Sequence, residues 1–104
     1  MTPLEVHELV HAQIADQWHR SNLHHVDLRR CLVEPPRLMT FIDPSSETPC
    51  AAWLVFHEDP ESERGYGVVF DESSGECGLA QFAEGYEPCL FGIYGDFFAA
   101  FEAM

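Results

Sequence analysis

The chain has 104 residues, 46% hydrophobic and 12% aromatic, enough for a single domain (residues 1–104) with one core. Its formal net charge is −13, from eighteen acids against five cations, all of them arginine. Such a surface repels phosphate backbones and anionic lipid, which sets aside nucleic-acid and membrane binding; its natural complement is a basic protein or a cation.

The first element is expected to be a helix over residues 3–19. Thr2 suits the N-cap, Pro3 the first helical position, and Glu5 completes a capping box. Val6, Leu9, Val10, Ile14 and Trp18 recur at spacings of three and four, giving one apolar stripe. The N-terminal stretch has no basic segment and no long apolar run, so it does not read as a signal peptide.

Residues 26–33, VDLRRCLV, read as a strand, although Arg29 and Arg30 would then point to opposite faces. Pro35-Pro36 interrupts pairing before RLMTFI, residues 37–42, which is either a second strand or the rest of a kinked first one. AAWLVFHE, residues 51–58, is a strand whose continuous apolar run predicts cover on both faces. Residues 66–71 and 76–83 flank the turn ESSG and form a β-hairpin. The tail starts as an extended segment. Asp96 then caps a short final helix with Phe97, Phe98, Phe101 and Met104 on one side.

With no helix between strands, this order, α-β-β-β-β-β-α, predicts an α+β fold. Its sheet is an antiparallel meander of four to five strands, with the N- and C-terminal helices on one face. Successive meander connections alternate between sheet ends. Loops 43–49 and 71–76 should share one end, and loops 59–64 and 84–88 the other.

Charge is uneven along the chain. Residues 1–42 carry four Arg and five acids, whereas residues 43–104 carry one Arg and thirteen acids. Glu58 at the end of strand 51–58 and Asp59, Glu61 and Glu63 in the loop after it are candidates for contact with a basic partner. Five aromatics within residues 91–101 give a second candidate surface, in which Phe97, Phe98 and Phe101 serve either the core or an interface. Cys31, Cys50, Cys77 and Cys89 contain no C-x-x-C pair, which points to reduced, mostly buried thiols in a cytoplasmic protein. A Cys/His catalytic pair would have to combine one of them with His57. A ligand pocket between the helices and the sheet would fall near Trp18 and Trp53.

Residues 7–11, HELVH, resemble the H-E-x-x-H motif of zincin metalloproteases. There, two histidines one helical turn apart share a zinc ion, and the glutamate activates metal-bound water. The resemblance implies His7 and His11 as ligands, Glu8 as base and zinc as cofactor. A third ligand would come from His24, His25 or Glu34. It covers five residues, and Ile14 and Gln17 stand where the extended metzincin motif has glycine and histidine. The favoured expectation is therefore a non-enzymatic interaction or regulatory domain without cofactor, binding a basic protein or a second copy of itself. In size and acidity the chain is similar to small bacterial inhibitor and immunity-type proteins. The alternative is a zinc protein or hydrolase built on HELVH.

Overall fold

Capping chemistry starts the first helix, α1 (Pro3–Ile14), where the sequence places it. In the computed structural model, which describes residues 1–104, the Glu5 N–H donates to Thr2 Oγ1 at 3.2 Å and the Thr2 N–H to Glu5 Oε1 at 2.8 Å. Two of the orphan donors at the helix N-terminus are thereby satisfied, and Pro3 has no N–H to satisfy. Val6, Val10 and Ile14 are buried along one stripe. The helix ends at Ile14, five residues before the expected His19, because Ala15 adopts φ 52°. The break turns the chain back across the molecule. Trp18 comes to rest beside His11, ring centroids 5.0 Å apart, under the Arg29 guanidinium at 4.6 Å. Arg20 lies over the Phe98 ring at 3.9 Å and pairs with Glu102, and Asn22 Nδ2 donates to the Phe101 carbonyl. These tertiary contacts outweigh the weak propensity for another turn of helix.

The expected strand over residues 26–33 is corrected. Residues Leu28–Cys31 form a single helical turn, α2. Asp27 caps it by accepting from the Arg29 N–H at 2.9 Å and the Arg30 N–H at 3.4 Å. A helical turn buries Leu28 and Cys31 while both arginines stay exposed, so neither guanidinium faces inward. Strand β1 then runs from Leu32 to Asp43 and contains Pro35-Pro36. The two prolines thus kink one strand. Lacking N–H groups, they fall in an irregular stretch where Leu32 pairs with Phe56 but Arg37 already pairs with Leu54.

Strands β2 (Thr48–His57), β3 (Gly65–Asp71), β4 (Glu76–Phe82) and β5 (Cys89–Gly95) follow as an antiparallel meander, and α3 (Phe97–Glu102) closes the chain. The β3–β4 hairpin pairs Gly65 with Phe82 through to Asp71 with Glu76. Its turn is held by Asp71, which accepts from the Ser73 N–H and Oγ, and by Gly75 at φ +73°. Asp96 caps α3 by accepting from the Ala99 N–H at 2.9 Å. The helix–meander–helix plan is therefore present, with both terminal helices packed on the sheet. The sheet also curls until β1 meets β5 in parallel at Ile42 and Cys89, closing a five-stranded barrel. The seam is short: that one bridge is joined by the Ile42 N–H, which donates to the Pro88 carbonyl at 2.9 Å.

Period-2 alternation divides the apolar side chains into two cores. Phe41, Ala52, Leu54, Val69 and Ala80 form one cluster. Val6, Val10 and Ile14 of α1 and Phe97, Phe98 and Phe101 of α3 join Trp53, Val55, Phe56, Val68, Phe70 and Cys77 in the other. A bulge between Leu54 and Phe56 lets Val55 and Phe56 both serve the helix-side cluster. The double-sided cover expected for β2 is present, since Ala52 through His57 are all buried. No helix is long and apolar enough to cross a membrane.

Candidate functional site

Three side chains with metal-ligating atoms converge where α1 crosses the start of β1. His7 and His11 lie one turn apart, with ring centroids 4.0 Å from one another. The kink of β1 brings in Glu34, whose Oε1 accepts from His11 Nε2 at 3.0 Å and lies 3.9 Å from His7 Nδ1. One ligating atom from each residue fits within 4.8 Å of the others. Val10, Leu32, Val33, Pro36 and Val55 wall the crevice beneath them. Glu8, the base of the resembled motif, is exposed and does not line this crevice. His24 and His25, the other third-ligand candidates, lie elsewhere: His24 Nδ1 donates to Glu58 Oε1 at 2.7 Å.

The acidic loops occupy the sheet ends as the meander requires. Arg64 Nη2 donates to Glu84 Oε2 at 2.7 Å, tying loop 59–64 to loop 84–88. Between these loops lies a groove of about 420 Å³. Met39, Phe82 and Tyr86 supply apolar surface there, Glu61 and Glu63 stand on its rim, and Arg37 and the buried His57 complete it. His57 is held in place: Nε2–H donates to the Arg64 carbonyl at 2.7 Å, and the ring stacks on Phe82 at 4.5 Å. At the other end, Asp43 and Asp71 lie close enough that both, behind burial itself, push the Cys50 thiol pKa upward.

The four acids singled out in the sequence are not equivalent. Glu58 is half-buried and doubly engaged, with Tyr66 N–H and His24 Nδ1 as its donors. Asp59 accepts from Ser62 Oγ at 2.8 Å. Glu61 and Glu63 are exposed, and no side-chain hydrogen bond engages either carboxylate. Phe97, Phe98 and Phe101 are 0%, 6% and 0% exposed, so their place is the core and they offer no surface to a partner. The exposed aromatics are Phe91 and Tyr94 of β5 and Tyr86 of the groove. Tyr86 and Arg37 were not singled out in the sequence; an aromatic inside the acidic stretch EGYEP was the available signal for the first. Trp18 and Trp53 line separate surface grooves and not one pocket between the helices and the sheet.

All four cysteines are free. Each thiol is directed to an oxygen acceptor: Cys31 to the Glu58 carbonyl, Cys50 to that of Phe41, Cys77 to Gln13 Oε1 and Cys89 to the Glu87 carbonyl. None is directed to His57, so the geometry gives no Cys/His pair. Burial pushes the Cys77 thiol up to about 12, with Asp96 adding to the effect, and burial also raises Cys31 and Cys50. A thiol with a raised pKa is neutral and unreactive at pH 8. Cys77 is therefore expected to resist a disulfide-exchange reagent at that pH until guanidinium unfolds the chain. Stoichiometric labelling of Cys77 in the native protein, located by mass spectrometry, would contradict this.

No protein-family model, curated protein or solved structure matches the chain.

Proposed function

We propose that this protein is a non-enzymatic binding domain for a basic protein, an inhibitor-type or regulatory module that meets its partner through the groove between loops 59–64 and 84–88. The observation that carries the proposal is the combination of apolar and acidic surface in that groove. Phe82, Met39 and the exposed Tyr86 offer a body for the stem of a lysine or arginine, and Glu61 and Glu63 offer charge for its head. The wider field supports it. Residues 43–104 carry thirteen acids and one arginine, and that arginine, Arg64, is paired with Glu84. Acidic potential of this extent accelerates encounter with a cationic partner and disfavours self-association through the same end.

The test is affinity capture from an extract of the source cells at low salt, with the partner identified and purified and its affinity measured. The double variant Glu61→Lys/Glu63→Lys is the control. Binding to a basic protein should weaken at least about tenfold with the double variant and fall steeply with ionic strength. Both sites are exposed, so the variant's stability should stay within about 0.5 kcal/mol of the original. Sedimentation should give the mass of one chain. Equal capture by both forms, or a hydrolytic turnover with no captured partner, sinks the proposal.

A further inference from the structure

We propose that His7, His11 and Glu34 form a divalent-metal site of the zinc class that ties α1 to the kinked start of β1. The site shares no residue with the acidic groove, so it stands or falls independently of the binding proposal.

Geometry carries the argument. Zinc held at bonds of about 2.0–2.1 Å in a tetrahedron places neighbouring ligand atoms roughly 3.3 Å apart. Glu34 Oε1 lies 3.0 Å from His11 Nε2 and 3.9 Å from His7 Nδ1, one distance on either side of that value. The third pair, the two imidazole nitrogens, lies within 4.8 Å, and side-chain rotation has to draw them together on one ion. The crevice they line with Val10, Leu32 and Val55 encloses a gap of about 10 Å³. That is on the order of one water-sized sphere. His7 and His11 are one-third exposed, so the ion has access from solvent and a water completes the fourth position.

Donor chemistry selects the metal. Two imidazoles and one carboxylate suit zinc and its neighbours cobalt and nickel, and are too poor in oxygen for calcium or magnesium. Zinc at His11 Nε2 would take the place of that atom's hydrogen bond to Glu34 Oε1, with the imidazole proton held on Nδ1. It also joins residues 23 positions apart in the chain, so binding draws on folding free energy and stabilises the native state. The role proposed for the ion is to tie α1 to β1. Glu8, which the zincin mechanism would need beside the ion, does not line the crevice, so no hydrolytic base is positioned.

The experiment is calorimetric titration of Zn²⁺ into the full, tag-free chain after removal of metal with a chelator. Thermal melts with and without zinc accompany it, as does the visible spectrum of the Co²⁺ form. One ion per chain should bind, Tm should rise, and Co²⁺ should give the intense d–d bands of a tetrahedral site. Trp18, 5.0 Å from His11, should report binding by a change in fluorescence. His11→Ala should lower affinity by about 100-fold and Glu34→Gln by at least about tenfold, while Glu8→Gln leaves it unchanged. His7→Asn serves as a second ligand variant, and circular dichroism confirms that each variant folds. No binding, unchanged Tm, or equal affinity in the folded ligand variants overturns the site. A loss with Glu8→Gln as large as with Glu34→Gln overturns the ligand set.

Discussion

Phe101→Ala is expected to cost about 3–5 kcal/mol, the range for truncating a buried phenylalanine. Phe101 is fully buried, and its ring meets three others, with centroids 5.4 Å from Phe56, 5.7 Å from Phe97 and 5.9 Å from Phe98. Two of these contacts are edge-on, the arrangement that adds to the area term. A domain of this size has roughly 5–15 kcal/mol of stability in total, so the variant should sit near the edge of folding. In a urea titration its midpoint should fall by about 2 M with an unchanged slope. Phe91→Ala is the comparison. Phe91 is half-exposed on β5, and its removal should shift the midpoint far less. If the two variants lost equal stability, α3 would not be part of the core. If Phe101→Ala kept its midpoint but lost a dimer, the aromatic tail would be an interface.

The same residues show where sequence reading stops. Five aromatics in the last fourteen residues signal a burial requirement, but their spacing does not say what buries them. The answer depends on α1 lying beside α3, a contact between opposite ends of the chain. Local chemistry was legible. The Thr2–Glu5 capping box, the Asp71–Glu76 hairpin and the Asp96 cap each operate within a few residues, and all three are present. The α2 turn was legible in principle, since Asp27 before Leu-Arg-Arg is an N-cap followed by good helix formers. The apolar content of VDLRRCLV favoured the competing strand pattern, and the price was a misread segment. Barrel closure had no local signal, because the Ile42–Cys89 contact joins strands 47 positions apart in sequence. The metal-site candidates divide the same way. His7 and His11 are neighbours by helical period alone, whereas choosing Glu34 over His24 and His25 requires knowing that Pro35-Pro36 kinks one strand and carries its start past α1.

Glu58→Ala should cost about 2–3 kcal/mol, although by sequence Glu58 is one more acid beside an acidic loop. Its carboxylate, 17% exposed, accepts from the Tyr66 N–H at 2.5 Å and from His24 Nδ1 at 2.7 Å. The first bond secures the entrance to β3. The second anchors the segment before α2, where His24 also rests against the Tyr66 ring at 5.6 Å. Gly65, at φ +87°, leaves room for this carboxylate, since a Cβ there would lie 2.8 Å from Glu58 Cγ. Truncation strands a part-buried N–H and frees the histidine, and an unpaired donor accounts for much of the expected loss. Glu58→Gln keeps an acceptor for the Tyr66 N–H and removes the charge facing His24, so it should fall between Glu58→Ala and the original protein. Glu61→Ala and Glu63→Ala remove exposed carboxylates and should change stability by less than about 0.5 kcal/mol. Urea titration of the four variants would separate acids that build the fold from acids free to meet a partner. If Glu58→Ala matched Glu61→Ala, the Glu58 carboxylate would be a solvent group. The proposed binding surface would then extend from the groove toward His24. The expected ordering, with Glu58→Ala well below the rest, leaves Glu61 and Glu63, the groove-rim carboxylates that make no side-chain hydrogen bond, as the acids available to the proposed binding surface.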